Sequence, residues 1–236
     1  MANVVIVLTS HNALGNSGKL TGFYFDEMAT PYWALKDAGH AVTLASIQGG
    51  NPPFDPGSVK ENPDERPAQV QRFLVDDAAM AELKNTPAVA DLDPDAFDAV
   101  FLPGGHGTMF DFANNVALGA LVGKVYDNDG TIGAICHGPA GLVGALRADG
   151  QPVVAGHKVS GFTNAEEVAV GMAETVPFLL EETLRAQGAA FEGTDNFKSH
   201  AVRDRQLVTG QNPASVAAVA ELMLEALAAR FTENAG

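Results

Sequence analysis

The sequence predicts a doubly wound α/β domain, a mainly parallel flavodoxin-like sheet sandwiched by helices, occupying residues 1–236. Three observations predict it. Short β-branched apolar runs alternate with stretches of helical periodicity, the pattern of right-handed βαβ units. The first run, residues 4–8, is apolar at every position, as in a strand covered on both faces. No repeat, low-complexity tract or linker divides the chain, and one α/β domain of this length is routine.

In chain order, residues 4–9 open the fold as a strand. Thr30-Pro31 predicts an N-cap followed by proline at the first helical position, in a helix that stops at Gly39. Residues 41–46 form the second strand. Residues 49–57 (GGNPPFDPG), running on to Pro67, make the longest irregular segment, and such loops often cover functional sites. Residues 66–83 are largely helical, and residues 97–102 are a strand ended by Pro103-Gly104-Gly105. Helical periodicity covers residues 114–128, then the strand 131–135 runs directly into Cys136 and residues 138–146 continue as helix. Helices at 166–170 and 177–187 precede strands near 201–202 and 207–208. The last helix takes Asn212 as cap and Pro213 as first residue, and reaches about Phe231. Ligands of such sheets sit beyond the carboxyl ends of the strands, where Gly104, Gly105 and Cys136 fall.

Composition narrows the partners. The chain is 46% hydrophobic and 18% charged, ordinary globular chemistry with material for a sizeable core. Its 14 basic and 29 acidic residues leave a net charge of −15, which repels phosphate backbones and anionic lipid. Neither nucleic acid nor a membrane surface is therefore an expected partner. A single cysteine, Cys136, excludes a disulfide framework and a cysteine-cluster metal site, and suits a reducing cytoplasm. The N-terminus carries no basic n-region and no run approaches 18 apolar residues, so neither a signal peptide nor a membrane span is expected.

The informative stretch is Thr131-Ile-Gly-Ala-Ile-Cys-His-Gly-Pro-Ala140. An apolar strand stops, and small residues and proline launch a helix within two positions, the layout of a nucleophile elbow. A helix N-terminus beneath Cys136 would favour its thiolate, and the His137 N–H could face a developing oxyanion. An isolated cysteine is more often a small buried hydrophobe; the His-Gly-Pro that follows Cys136 argues for chemistry instead. Pro103-Gly104-Gly105-His106-Gly107 adds a loop whose N–H groups can approach a ligand. It lacks the Lys-Ser/Thr of a phosphate-binding loop and the spacing of a dinucleotide fingerprint.

Ala134-Ile-Cys-His-Gly-Pro139 and Leu102-Pro-Gly-Gly-His-Gly107 resemble the ThiJ/PfpI superfamily, whose fold is the class I glutamine amidotransferase-like one. Thr21-Gly22 with Asp26-Glu27 and Pro31, Ser160-Gly-Phe-Thr-Asn164 with Glu166-Glu167, and Leu207-Val-Thr-Gly-Gln-Asn-Pro-Ala-Ser215 are similar to its small heat-shock chaperone and glutathione-independent glyoxalase III branch. The resemblance implies Cys136 as nucleophile, His137 as its partner, Glu27 as the acid of the first helix, and Glu167 as the carboxylate orienting the histidine, with Glu166 a near rival. Gly104, Gly105 and His106 would form the oxyanion and substrate-binding loop. It also implies a homodimer. The lid-like domain of larger chaperone members, with its metal site, has no room here.

The implied activity is a lyase needing no cofactor and no metal: a small aldehyde such as methylglyoxal forms a hemithioacetal on Cys136 and leaves as a 2-hydroxy acid. A stress-associated holdase with a redox-sensing cysteine, and a cysteine hydrolase or deglycase, are the alternatives. Glutamine hydrolysis is disfavoured, since His200 has Val202 where a carboxylate is needed. Three points stay open in the sequence. Consecutive side chains tend to point apart, so the His137 ring either reaches the sulfur or serves the substrate. His106 reads equally as a substrate-facing or a turn residue. Glu27, Glu166 and Glu167, judged by spacing alone, read as exposed helix acids. The remaining histidines, His11, His40, His157 and His200, show no ligand spacing.

Overall fold

A computed structural model describes residues 1–233. The chain runs β1 (Asn3–Leu8), α1 (Phe25–Asp37), β2 (Ala41–Ser46), α2 (Ala68–Val75), α3 (Asp77–Lys84), β3 (Ala99–Leu102), α4 (Thr108–Asp111), α5 (Val116–Asp127) and β4 (Thr131–Ile135). It continues through β5 (Lys158–Val159), α6 (Asn164–Ala169), α7 (Leu180–Ala186), β6 (Ala190–Phe191), β7 (Ala201–Asp204), β8 (Leu207–Gly210) and α8 (Val216–Glu233). The central sheet has the order β2-β1-β3-β4-β8-β7. All its pairings are parallel except the β7–β8 hairpin, an antiparallel edge on the doubly wound sheet.

Side chains alternate across each strand and feed two cores. Ile6, Leu8, Phe101, Ile135 and Val208 pack beneath α1 and α8 against Met28, Tyr32, Val219 and Met223. Val5, Val7, Val100, Ile132 and Ala134 face Leu118, Leu121 and Val122 of α5. Burying each large side chain contributes on the order of 1.5–3 kcal/mol, which holds strand register firmly. That register positions the site: Leu102 pairs with Ala134, and Ile135 with Gly210. The segments leaving β3 and β4, residues 103–107 and 136–138, therefore emerge side by side at the carboxyl edge.

Three sequence expectations need correction and a fourth is refined. The first helix starts at Phe25, with Pro31 inside it. Its entry is set by long-range bonds, Phe23 N–H to the Pro53 carbonyl (3.0 Å) and Tyr24 N–H to the Gly104 carbonyl (2.8 Å), while the Thr30 hydroxyl donates to Asp26 Oδ1 at 2.7 Å instead of capping. The largely helical stretch 66–83 is two helices parted at Asp76, which turns extended and caps α3 by accepting the Ala79 N–H at 2.9 Å. The helix expected over 138–146 is a short 3-10 turn, Gly138–Leu142, because Val143 is extended and its carbonyl is taken by the Asn114 N–H at 2.9 Å. Asn212 does not cap the last helix: its amide donates to Glu166 Oε1 (2.7 Å) and to the Lys198 carbonyl (2.8 Å), and α8 begins only after the 3-10 turn Pro213–Ser215.

A two-stranded parallel sheet, β5–β6, also lies outside the sequence expectations, each strand being too short to carry periodicity. Among the described residues no helix is long and apolar enough to cross a membrane.

Candidate active site

Cys136 follows β4 directly and has φ +58°, a left-handed conformation costly for a side chain with Cβ. Neighbours enforce it: its N–H bonds the Gly210 carbonyl (2.9 Å) and its carbonyl accepts the Phe162 N–H (2.8 Å). This bend makes two consecutive side chains converge. The sulfur lies 3.4 Å from His137 Nδ1, so the ring does reach it.

His137 is buried, and its Nε2 lies 2.7 Å from Glu167 Oε2. A carboxylate only accepts, so Nε2 carries the proton and the Nδ1 lone pair faces the thiol. Burial, helped by His106, lowers His137 to about 4 despite Glu167, so the ring is neutral at physiological pH. Burial raises Glu167, but the hydrogen bonds from His106 and His137 outweigh it and hold the carboxyl at about 2. Glu167 sits in the first turn of α6, which opens with a capping box between Thr163 and Glu166.

Glu166 and Glu167 are both buried, not exposed helix acids. Glu167 meets the histidine. Glu166 points the other way and braces the surroundings, accepting from the Thr163 N–H (3.0 Å), the Phe197 N–H (2.8 Å) and the Asn212 amide (2.7 Å).

Glu27, also expected exposed by spacing, is fully buried in α1. Its Oε2 accepts the Gly104 N–H at 2.8 Å, and its Oε1 has no hydrogen-bond partner among the described residues. Burial raises Glu27 to about 8 against the opposing pull of Gly104 and Cys136. The carboxyl is therefore protonated at neutral pH and available as a donor to the sulfur it interacts with.

The Cys136 thiol departs from expectation. Burial, then the charge of Glu27, push it well above its ordinary value, and the His137 N–H opposes them without prevailing. The helix that was to favour thiolate is only the 3-10 turn Gly138–Leu142, too short to assemble a macrodipole. The resting sulfur is a thiol beside a neutral imidazole.

The glycine loop divides its tasks. Gly104 is a second correction: its N–H is spent on Glu27, its carbonyl on Tyr24, and it does not line the cavity. Gly105, at φ +104°, does line it, and its N–H has no partner among the described residues. A Cβ at Gly105 would strike the Gly22 carbonyl. His106 lines the cavity as well, with Nε2 2.9 Å from Glu167 Oε1 and its ring centroid 4.2 Å from that of His137. One carboxylate thus holds two imidazoles. Their ligand atoms lie within 4.8 Å of one another, close enough to hold a metal ion by position, and the hydrogen bonds to Glu167 use both Nε2 atoms.

The sulfur opens into a cavity of about 310 Å³, whose lining includes Tyr24, Asp55, Phe162, Val170, Phe197 and Pro213. Asp55 comes from the long loop 49–57, so that loop does help cover the site. Phe197 and Val170 carried no sequence signal. A larger cleft of about 470 Å³, whose lining includes Arg203, Arg205 and Arg230, lies at the opposite end of β4 and has no cysteine or histidine among the described residues that line it.

The DJ-1/PfpI family profile matches residues 21–226. Glyoxalase 3 of Candida albicans is 33% identical, over 96% of this chain and 98% of that protein. Among solved structures, the Rapid Encystment Protein 24 kDa of Francisella tularensis superposes with a TM-score of 0.91 at 37% identity, covering 96% of this chain and 99% of that one. Glyoxalase III of Candida albicans superposes with a TM-score of 0.86 at 30% identity, covering 95% and 97%.

Proposed function

The chain belongs to the DJ-1/PfpI family, and from that premise we propose that it is a glutathione-independent glyoxalase, a lyase converting methylglyoxal or glyoxal to a 2-hydroxy acid. One observation carries the reading: a thiol at a cavity floor, 3.4 Å from a neutral imidazole that a carboxylate 2.7 Å away orients.

The sulfur attacks the aldehyde carbon, forming the S–C1 bond, while the thiol proton passes to His137 Nδ1. The Gly105 N–H stabilises the oxygen as charge develops, before that oxygen takes the proton back as a hemithioacetal hydroxyl. With Nδ1 free again, His137 removes the C1–H proton and hands it to the C2 carbonyl oxygen, giving an enediol; the C1 hydroxyl proton then passes through the same imidazole to C2, leaving a C1 carbonyl as a thioester. C1 is oxidised and C2 reduced within one molecule, so the electrons balance internally. Water then cleaves the S–C1 bond, releasing the hydroxy acid and restoring the thiol. Protonated Glu27 donates to the sulfur whenever it carries charge.

Incubation with methylglyoxal and no glutathione should produce lactate, and Cys136→Ala should abolish it. Lactate formation that persists in Cys136→Ala overturns the proposal. The family resemblance carries two further proposals, a homodimer and a holdase activity, and the lone cysteine carries a third, residence in the cytoplasm. Light scattering, a client-aggregation assay and cell fractionation test them in turn.

A further inference from the structure

The cavity over Cys136 is far roomier than its proposed chemistry requires. At about 310 Å³ it lies at the lower end of the range of about 300–1,000 Å³ that buries drug-sized ligands, whereas methylglyoxal has only five heavy atoms. Its lining is of two kinds. Gly105, His106 and His137 present N–H groups and ring nitrogens beside the thiol, where the two oxygens of a 2-oxoaldehyde belong. Phe162, Val170 and Phe197 present hydrocarbon.

The apolar part is a held surface. The Phe162 ring stacks at a tilt on His137, with centroids 4.4 Å apart. Phe197 is half exposed at the mouth, yet its backbone has φ +61° and its N–H is tied to the buried Glu166 carboxylate at 2.8 Å. Val170 is likewise left open at 39% exposure. Two uncovered hydrophobic side chains, one on a backbone in a costly conformation, gain something only when apolar matter sits on them. Charge points the same way: among the described residues no Lys or Arg lines the cavity, Asp55 does, and the chain carries −15, so an anionic group would enter at a cost.

We propose that this site selects uncharged 2-oxoaldehydes whose ketone bears an apolar group larger than methyl, seated against Phe162, Val170 and Phe197. The inference rests on the glyoxalase reading for its reactive end and on the cavity walls for its selectivity.

The test compares isobutylglyoxal with methylglyoxal, since both place an alkyl group on the ketone and their aldehydes have similar intrinsic reactivity. The readout is the ratio of kcat/KM values on one enzyme preparation, in which any misfolded fraction cancels. An apolar pocket that accepts the extra carbons favours isobutylglyoxal by about tenfold or more. Phe197→Ala and Val170→Asp should each lower that ratio by about fivefold. A wild-type ratio of one or below overturns the inference, as does a ratio that both variants leave unchanged.

A second readout needs no turnover: the concentration of each aldehyde that halves the rate of Cys136 alkylation by iodoacetamide. If neither aldehyde is converted, the glyoxalase reading fails, and this protection ratio decides the selectivity by itself. Equal protection by both aldehydes then overturns it.

Discussion

His137 Nδ1 and the Cys136 sulfur stand 3.4 Å apart although the residues are adjacent in the chain, because Cys136 is held at φ +58°. The imidazole is in turn aimed from behind by Glu167, which is also shared with His106. Glu167→Gln offers a single acceptor to two imidazoles and lets an amide N–H turn the ring into the tautomer whose Nδ1 carries the proton. We expect kcat for methylglyoxal to fall by at least about a hundredfold with KM little changed. Steady-state kinetics check this, and an undiminished kcat would remove Glu167 from the orienting role.

Glu27 sets the alkaline limit. Its folded value of about 8 stands above the ordinary 4.5, so its stabilising contribution is full below 4.5 and is lost as pH rises through 8. Within that window the loss approaches about 1.4 kcal/mol per pH unit. Glu27→Gln stays neutral, so its stability relative to wild type should rise steadily from pH 5 to 8 in denaturant titrations. Activity follows the same group: wild-type kcat/KM should decline above about pH 8, and the variant should lack that limb. A constant stability difference across the range would show that Glu27 titrates normally.

Acid acts through the other pair. His137 falls to about 4 from 6.5, so the stability it confers is present above 6.5 and is lost as pH drops to 4. Glu167, at about 2 against 4.5, loses its contribution over the next interval down. His137→Gln should therefore lose less stability than wild type between pH 6.5 and 4. Measuring each variant against wild type cancels the titrations they share. Parallel curves for the two proteins would contradict a neutral buried His137.

Gly104 is required for space. A Cβ there would lie 2.6 Å from the His137 nitrogen and 2.8 Å from Cys136 Cβ, contacts with backbone and with the sulfur-bearing residue that cannot move independently. Gly104→Ala should destabilise by about 1–3 kcal/mol and displace the Glu27 carboxyl from its N–H partner. Thermal unfolding reads the first effect. A shift to higher pH of the alkaline limb ascribed to Glu27 reads the second, because the lost N–H had pulled that carboxyl down.

Much of this arrangement is legible in the amino-acid sequence. Strands 41–46 and 131–135 have the same bounds in sequence and structure, since each is a short β-branched or small-residue run between turn residues. The positions flanking the thiol were legible as motif. What escaped was non-local. Thr30-Pro31 is a genuine local start signal, but the Tyr24 bond to Gly104 outweighs it and pulls the helix start back to Phe25. Glu27 and Glu167 look like solvated helix acids until the sheet brings Gly104 and two histidines to them. The meeting of Cys136 with His137 depends on a sign of φ that no periodicity encodes. Phe197 lies in an irregular stretch, and its link to Glu166 spans 31 positions.

That no Lys or Arg lines the cavity among the described residues also bears on how molecules arrive there. An acidic protein awaiting a neutral guest gains nothing from long-range attraction, so encounters are left to plain diffusion and to the hydrocarbon walls. Raising ionic strength from about 0.01 to 1 M shrinks the Debye length from about 30 to 3 Å and should leave kcat/KM for an uncharged aldehyde flat. Turnover would then be governed by the abundance of the aldehyde, whatever the surrounding electrolyte.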